Sequence, residues 1–153
     1  MKECWSCLSN ERIRRISPGP TLYEGTYWRV EHAYPAQLLG WLVLVLNRHA
    51  EAMHELRPEE FTEFATLLER TTHVLHEALG CEKEYVIGLA EAEHFHHVHV
   101  HVVPRAADLA PKFRGAKVFG LLGEKEGRNA LPPEQVKDFC EALRAAFAEW
   151  REG

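Results

Sequence analysis

The sequence predicts an α+β domain built on an antiparallel sheet. Short β-branched and aromatic runs precede a long amphipathic segment, more such runs follow it, and a second amphipathic segment comes last. Strands and helices do not alternate strictly, as a parallel sheet would require. At 153 residues, 46% hydrophobic and 27% charged, residues 1–153 have the size and composition of one ordinary globular domain.

Each element has a local reason. Residues 21–24 and 27–31 are aromatic and β-branched with Gly25 between them, the pattern of a hairpin. Leu42-Val43-Leu44-Val45-Leu46 is a continuous apolar run after Gly40 and is expected as a buried central strand. Pro58 and Glu59 open a helix, a good first residue followed by an acidic first turn. Its expected stripe is Phe61, Phe64, Leu67, Leu68, Leu75 and Leu79, and Gly80 stops it. Residues 85–89 and 97–103 are expected as further strands, the second ended by Pro104. Residues 105–131, with four glycines, are expected to be irregular, a loop over a site or a dimer arm. Pro132-Pro133-Glu134 opens a last helix with a stripe of Val136, Phe139, Cys140, Leu143, Phe147 and Trp150.

The net charge of −5 argues against a general nucleic-acid or anionic-membrane binder. It leaves room for a small nucleotide, whose phosphates need only a few local donors. Met1-Lys2-Glu3-Cys4 has no apolar signal region and no apolar run is long enough to span a bilayer, so a cytoplasmic location is expected. In that compartment the four cysteines are expected to be reduced, metal-bound or buried.

Ten histidines are many for this length, and five of them fall between His94 and His101. The segment His97-Val98-His99-Val100-His101-Val102-Val103 alternates without a break. Successive strand residues point to opposite faces, so the histidines share one face, roughly 7 Å apart, and the valines share the other. The valine face can pack against helices while the histidine face stays open. A row of imidazoles is a poor core filler, and charged together they would repel. Two chemical readings stand: a shared metal, or a neutral imidazole acting as a nucleophile on phosphorus. Cys4-Trp5-Ser6-Cys7 is a CxxC, half a zinc site or a redox pair. Without a βαβ start around it a redox role is disfavoured. Cys81 and Cys140 stand alone at apolar helix ends and are expected as buried thiols.

His97 to Val103 resembles the signature of the histidine triad (HIT) superfamily, His-φ-His-φ-His-φ-φ with φ apolar, at every position. Pro104-Arg105, the strand from Gly40 to Val45 with Arg48-His49, and Glu55-Leu56-Arg57-Pro58-Glu59-Glu60 are similar to further family segments. The resemblance covers most of residues 4–105. It implies a HIT-like antiparallel sheet with two main helices, a homodimer, and a nucleotidyl hydrolase or transferase. The middle histidine, His99, would attack the α-phosphate and form a covalent nucleotidyl-histidine. His101 would contact phosphate oxygens, and His97 would orient the site or bind metal.

The chain departs from the pattern in two places. Trp41 stands where many members have a histidine. Glu93-His94-Phe95-His96 stands where many have small or amide residues holding phosphate and leaving group. His94 and His96 are therefore expected as substitute donors, and His32 falls by position near the ribose contact. Resemblance to bacterial members and to galactose-1-phosphate uridylyltransferases implies a structural zinc on Cys4, Cys7, His49 and His97. Substrates expected from the resemblance are dinucleoside polyphosphates or nucleoside phosphoramidates. The rivals are a nucleotide- or zinc-binding module of the same fold with weak catalysis, and a zinc hydrolase using all three triad histidines as ligands.

Overall fold

The computed structural model describes residues 3–125 and 127–149. Five strands form one sheet in the order β1-β2-β3-β5-β4, every neighbouring pair antiparallel. They are β1 (Tyr23–Glu24), β2 (Trp28–His32), β3 (Leu42–Leu46), β4 (Lys83–Ile87) and β5 (His99–Arg105). Helices α2 (Pro58–Leu79) and α3 (Pro133–Glu149) carry the two amphipathic segments, and a short α1 (Trp5–Asn10) precedes the sheet. Among the described residues, no helix is long and apolar enough to cross a membrane.

The alternation in β5 decides the layers. Val98, Val100 and Val102 join Leu42, Leu44, Leu46, Trp28 and Val30 in a core closed by Leu67, Val74 and Leu75 of α2 and Val136, Cys140, Leu143 and Phe147 of α3. Fully burying a valine contributes about 1.5 kcal/mol or more, so this face anchors β5 at the centre of the sheet. Trp150 of the expected α3 stripe lies outside the described residues. Phe61 and Leu79 of the expected α2 stripe remain exposed. They sit in the first and last turns of the helix, and the buried stripe is Glu60, Leu67, Thr71, Val74 and Leu75. Cys81 and Cys140 are buried thiols, as expected.

The hairpin strands run over Tyr23–Glu24 and Trp28–His32 rather than 21–24 and 27–31, and three further differences from the sequence reading bear on the site. The CxxC segment is helical: Cys4 caps α1 by accepting from the Cys7 N–H on its Sγ at 3.4 Å. β4 starts two residues earlier than expected because Lys83 pairs with Arg105, and Ala90 then takes a left-handed backbone at φ 54°. β5 runs from His99 through Pro104 to Arg105 rather than from His97 to Val103. β3 begins only at Leu42, opposite Val102, so the missing N–H of Pro104 leaves no β3 ladder bond unmade.

The second face of the sheet holds a smaller cluster. Residues 105–125 fold back over their own sheet in two 3-10 turns, Pro111–Phe113 and Gly115–Leu121. Val118 and Leu121 pack there with Trp41, Val103, Ala33 and Ala36. This arm covers one end of the face, and the histidines emerge beside it. Gly40 makes the turn into β3 at φ +91°, where an added Cβ would lie 2.5 Å from Leu79 Cδ1. That turn delivers Trp41 to the covered face.

Candidate active site

The strand register lays out the floor of a cleft of about 520 Å³. One row crosses the sheet as Glu31, Val43, His101 and Ile87, and the next as Arg29, Val45 and His99. Phe95, Leu89, Tyr34, Pro35 and Phe119 line its sides. His99 and His101 thus stand side by side, ring centroids 5.1 Å apart.

Their hydrogen bonds differentiate the two rings. His99 Nδ1–H donates to the His97 carbonyl at 2.6 Å, which leaves the lone pair on Nε2. Trp41 Nε1–H donates to His101 Nδ1 at 2.9 Å, which leaves the proton on Nε2. The site therefore presents one ring nitrogen with a free lone pair and one neutral N–H donor. Burial lowers the pKa of His99, outweighing its carbonyl bond. Burial, and then the neighbouring His99, lower His101 to about 4. Both rings are neutral at pH 7.

His97 is turned elsewhere. It is fully buried, and its Nδ1 lies 3.5 Å from Cys4 Sγ, 3.5 Å from Cys7 Sγ and 3.3 Å from His49 Nδ1. Cys7 Sγ lies 3.3 Å from His49 Nδ1, and the four ligand atoms all fall within 4.8 Å of one another. Tetrahedral zinc, with bonds of about 2.0–2.1 Å to nitrogen and 2.3 Å to sulfur, requires edges of roughly 3.3–3.8 Å. The set therefore fits a closed tetrahedral metal site. His97 Nε2–H donates to the Leu46 carbonyl at 2.6 Å, which frees Nδ1 for a ligand bond. Burial, and then Cys4 beside it, push the Cys7 thiol up to about 12. The three triad rings do not converge on one point, since His99 and His101 bond to His97 O and Trp41 instead.

The other sequence candidates take separate places, with His32 at the border of the same cleft. His32 shares the helix-facing side of β2 with Trp28 and Val30. Its Nδ1–H donates to Ala33 O at 2.7 Å and its Nε2 accepts from Gly40 N–H at 2.9 Å, so both nitrogens are occupied by backbone. His94 stacks on Trp5, centroids 4.4 Å apart, and fastens the approach segment to α1. His96 is half-buried, and of residues 94–96 it is Phe95 that lines the cleft. His49 is held in the metal-ligand set by its neighbour Arg48, whose guanidinium pairs with the buried Glu60 at 2.9 Å.

Three contributors escaped the sequence reading. Trp41 was noted only as a departure from a pattern. The buried Arg29 and the half-buried Glu31 form a pair at 2.7 Å on the cleft floor. Thr21 donates to the Glu31 carboxylate, and Arg29 donates to Asn10 of α1. Burial raises the Glu31 pKa and lowers that of Arg29, each against the pull of the other. A strict period of two would have found them, because Trp28 and Val30 must face the core and so leave 29 and 31 on the open side.

No family model and no curated protein matches the chain in sequence. Solved structures do match. A hypothetical histidine triad nucleotide-binding protein from Sulfolobus tokodaii superposes with a TM-score of 0.72 at 15% identity, over 98% of this chain and 100% of that one. A Zn-bound histidine triad family protein from Mycobacterium smegmatis gives 0.67 at 18%, over 95% and 94%. The Plasmodium falciparum diadenosine triphosphate hydrolase, solved with cyclomarin A, gives 0.63 at 13%, over 84% and 76%. The five-stranded antiparallel sheet, its two helices and the alternating histidine strand give this chain the fold of the histidine triad proteins.

Proposed function

We propose that the chain is a single-domain histidine triad nucleotidyl hydrolase or transferase, acting at the α-phosphorus of nucleotide conjugates through a covalent nucleotidyl-histidine on His99. The observation that carries this is the His99 Nδ1–H bond to His97 O, which leaves Nε2 as a neutral lone pair in the cleft. Nε2 forms a bond to phosphorus as the bond to the leaving group breaks, and the departing atom takes the electron pair. Nδ1 keeps its proton throughout. His101 donates Nε2–H to a phosphate oxygen, where negative charge accumulates in the transition state. Water or another acceptor then attacks phosphorus, frees His99 and sheds its proton to solvent. The likeness to a diadenosine triphosphate hydrolase supports nucleotide conjugates as the substrates.

Cys4, Cys7, His49 and His97 would hold a structural zinc ion, a role supported by the ligand spacing and by the Zn-bound neighbour. Bound there, zinc would fasten α1 and the ends of β3 and β5 together. Metal analysis of protein purified without a histidine tag is expected to give about one equivalent, and less than half would count against the site. A homodimer fits the edge strand β4, where Val86 is 46% exposed; light scattering tests it. The four free cysteines support a cytoplasmic location, and the net charge of −5 disfavours nucleic acid as a partner.

The deciding experiment is intact-protein mass spectrometry after mixing with a dinucleoside polyphosphate and quenching within seconds. A nucleotidyl mass on the native chain and none on His99→Ala is expected. Undiminished turnover by His99→Ala would overturn the mechanism. Binding without adduct or turnover would return the chain to the nucleotide-binding module.

A further inference from the structure

Resting on the reading of His99 as the nucleophile, we propose that Trp41 sets the leaving-group class of this site. It confines the site to phosphoanhydrides, which leave without a proton, and against phosphoramidates, whose amine needs one. The argument begins with what the indole can do. Trp41 is fully buried and its Nε1–H donates to His101 Nδ1 at 2.9 Å. Indole is a donor only, so it neither accepts nor relays a proton. Phe119 packs edge-on against both rings, with centroids at 5.7 Å from Trp41 and 5.3 Å from His101, and closes off a swing of either.

A second proton on His101 would have to sit on Nδ1, where it would face the indole hydrogen. An imidazolium at this position sets two donors against each other. His101 therefore stays neutral with its proton on Nε2, able to donate a hydrogen bond and unable to surrender the proton without becoming an imidazolate. Burial and the neighbouring His99 act in the same direction. His99 holds its own proton on the His97 carbonyl, away from the leaving group. Elsewhere around the cleft, Glu31 is tied to Thr21 and Arg29, Lys125 Nζ donates to Phe119 O, and Glu91 is solvent-exposed. Among the described residues, the two rings beside the phosphorus offer strong hydrogen-bond donation, and neither is built as a general acid.

The two leaving groups then separate chemically. With an anhydride, His99 Nε2 bonds to the α-phosphorus, the bridging P–O bond breaks, and its electron pair departs on a phosphate oxygen. No proton crosses. With a phosphoramidate, the P–N bond breaks only once the nitrogen has gained a proton, which here must come from solvent. Lack of a positioned acid costs such a step about 10²-fold or more.

The test compares kcat/KM on a dinucleoside triphosphate and on adenosine phosphoramidate at pH 7. Wild-type protein is expected to favour the anhydride by about 100-fold or more. Trp41→His, which puts a titratable nitrogen against His101, is expected to shrink that preference at least about tenfold, most of the gain on the phosphoramidate and increasing from pH 7 to pH 6. Nitrogen NMR of wild-type protein reports the tautomer without turnover, and Nδ1 of His101 is expected as the unprotonated nitrogen. That readout and the wild-type ratio stand even if the variant does not fold. Comparable wild-type rates on both substrates, or a proton on Nδ1, overturn the inference and leave a His99 adduct intact. Absence of any His99 adduct removes the mechanism and the inference together.

Discussion

Glu60→Gln should loosen the candidate metal site from a distance. The Glu60 carboxylate is 1% exposed and accepts from Arg48 Nε and Nη2, both at 2.9 Å, and from the Arg57 N–H at 2.8 Å. Glutamine keeps one acceptor and turns an amide N–H₂ toward one of these donors. The loss is that of a charge-assisted bidentate contact, moderated because Arg48 is partly solvated: about 2–3 kcal/mol. For a domain of this size that corresponds to a melting shift of roughly 5–10 °C. Arg48 is bonded in sequence to His49, so freeing its guanidinium frees the imidazole that faces Cys7. The variant should therefore also lose metal to a chelator faster than wild type. The pH dependence has a definite sign. Arg48 holds the Glu60 carboxyl below the usual range, so its contribution is full above the unfolded carboxylate pKa and falls away as pH drops through the folded value. Thermal unfolding at pH 7 and again near pH 3 reads both effects. Equal melting temperatures at pH 7, or a deficit that persists undiminished in acid, would refute the reasoning.

Other consequences follow from the same contacts. His32→Phe leaves the Gly40 N–H without its partner and should cost about 1–3 kcal/mol of stability while KM for a nucleotide substrate stays within about twofold; a large KM change would restore His32 as a nucleoside contact. Burial lowers the His32 pKa from 6.5, so the native state disfavours its proton. Its stability contribution is present above about pH 6.5 and declines below it, and chemical denaturation of His32→Phe should show a shallower acid slope than wild type. Chelation should lower the melting temperature before it lowers initial rates at 25 °C; instant loss of rate with an unchanged fold would favour a metal-activated water. Arg29→Met leaves the half-buried Glu31 with Thr21 alone and should raise that carboxyl further, costing about 1–3 kcal/mol by denaturant titration.

The fold was legible where the residue pattern itself has a period. Leu42–Leu46 and Pro58–Leu79 fall where the apolar run and the Pro58 and Gly80 signals place them. Boundaries failed where a partner strand decides them, as at Pro104, tolerated only because β3 begins at Leu42, opposite Val102. The α1 turn was illegible because six residues carry too little periodicity to distinguish a capped turn from coil. In the site, the triad and the Cys4, Cys7, His49 and His97 set were visible as spacing and resemblance, and the structure brings those four together. His32 was legible only by its place in a pattern; which side of β2 its ring takes depends on the strand phase set by Trp28 and Val30. The Trp41–His101 bond joins residues sixty apart, and no local rule in the chain announces it.

His97 links the candidate metal-ligand set to the proposed nucleophile. Its ring is spent on Cys4, Cys7, His49 and Leu46, while its carbonyl accepts the His99 proton at 2.6 Å. A strand alternation that only sorted faces would leave that carbonyl in a regular ladder. Instead β3 ends at Leu46, β5 is paired from His99 onward, and the His97 carbonyl is left to the side chain two residues on. The ring fixes the peptide, the peptide fixes the tautomer, and the tautomer puts the lone pair in the cleft. On this account His97→Gln acts on His99 through the backbone. It should reduce kcat with little change in KM, and it should do so even in protein that remains folded by melting curve. A pure KM effect would mean that the ring meets substrate directly, which its burial behind Leu46 opposes.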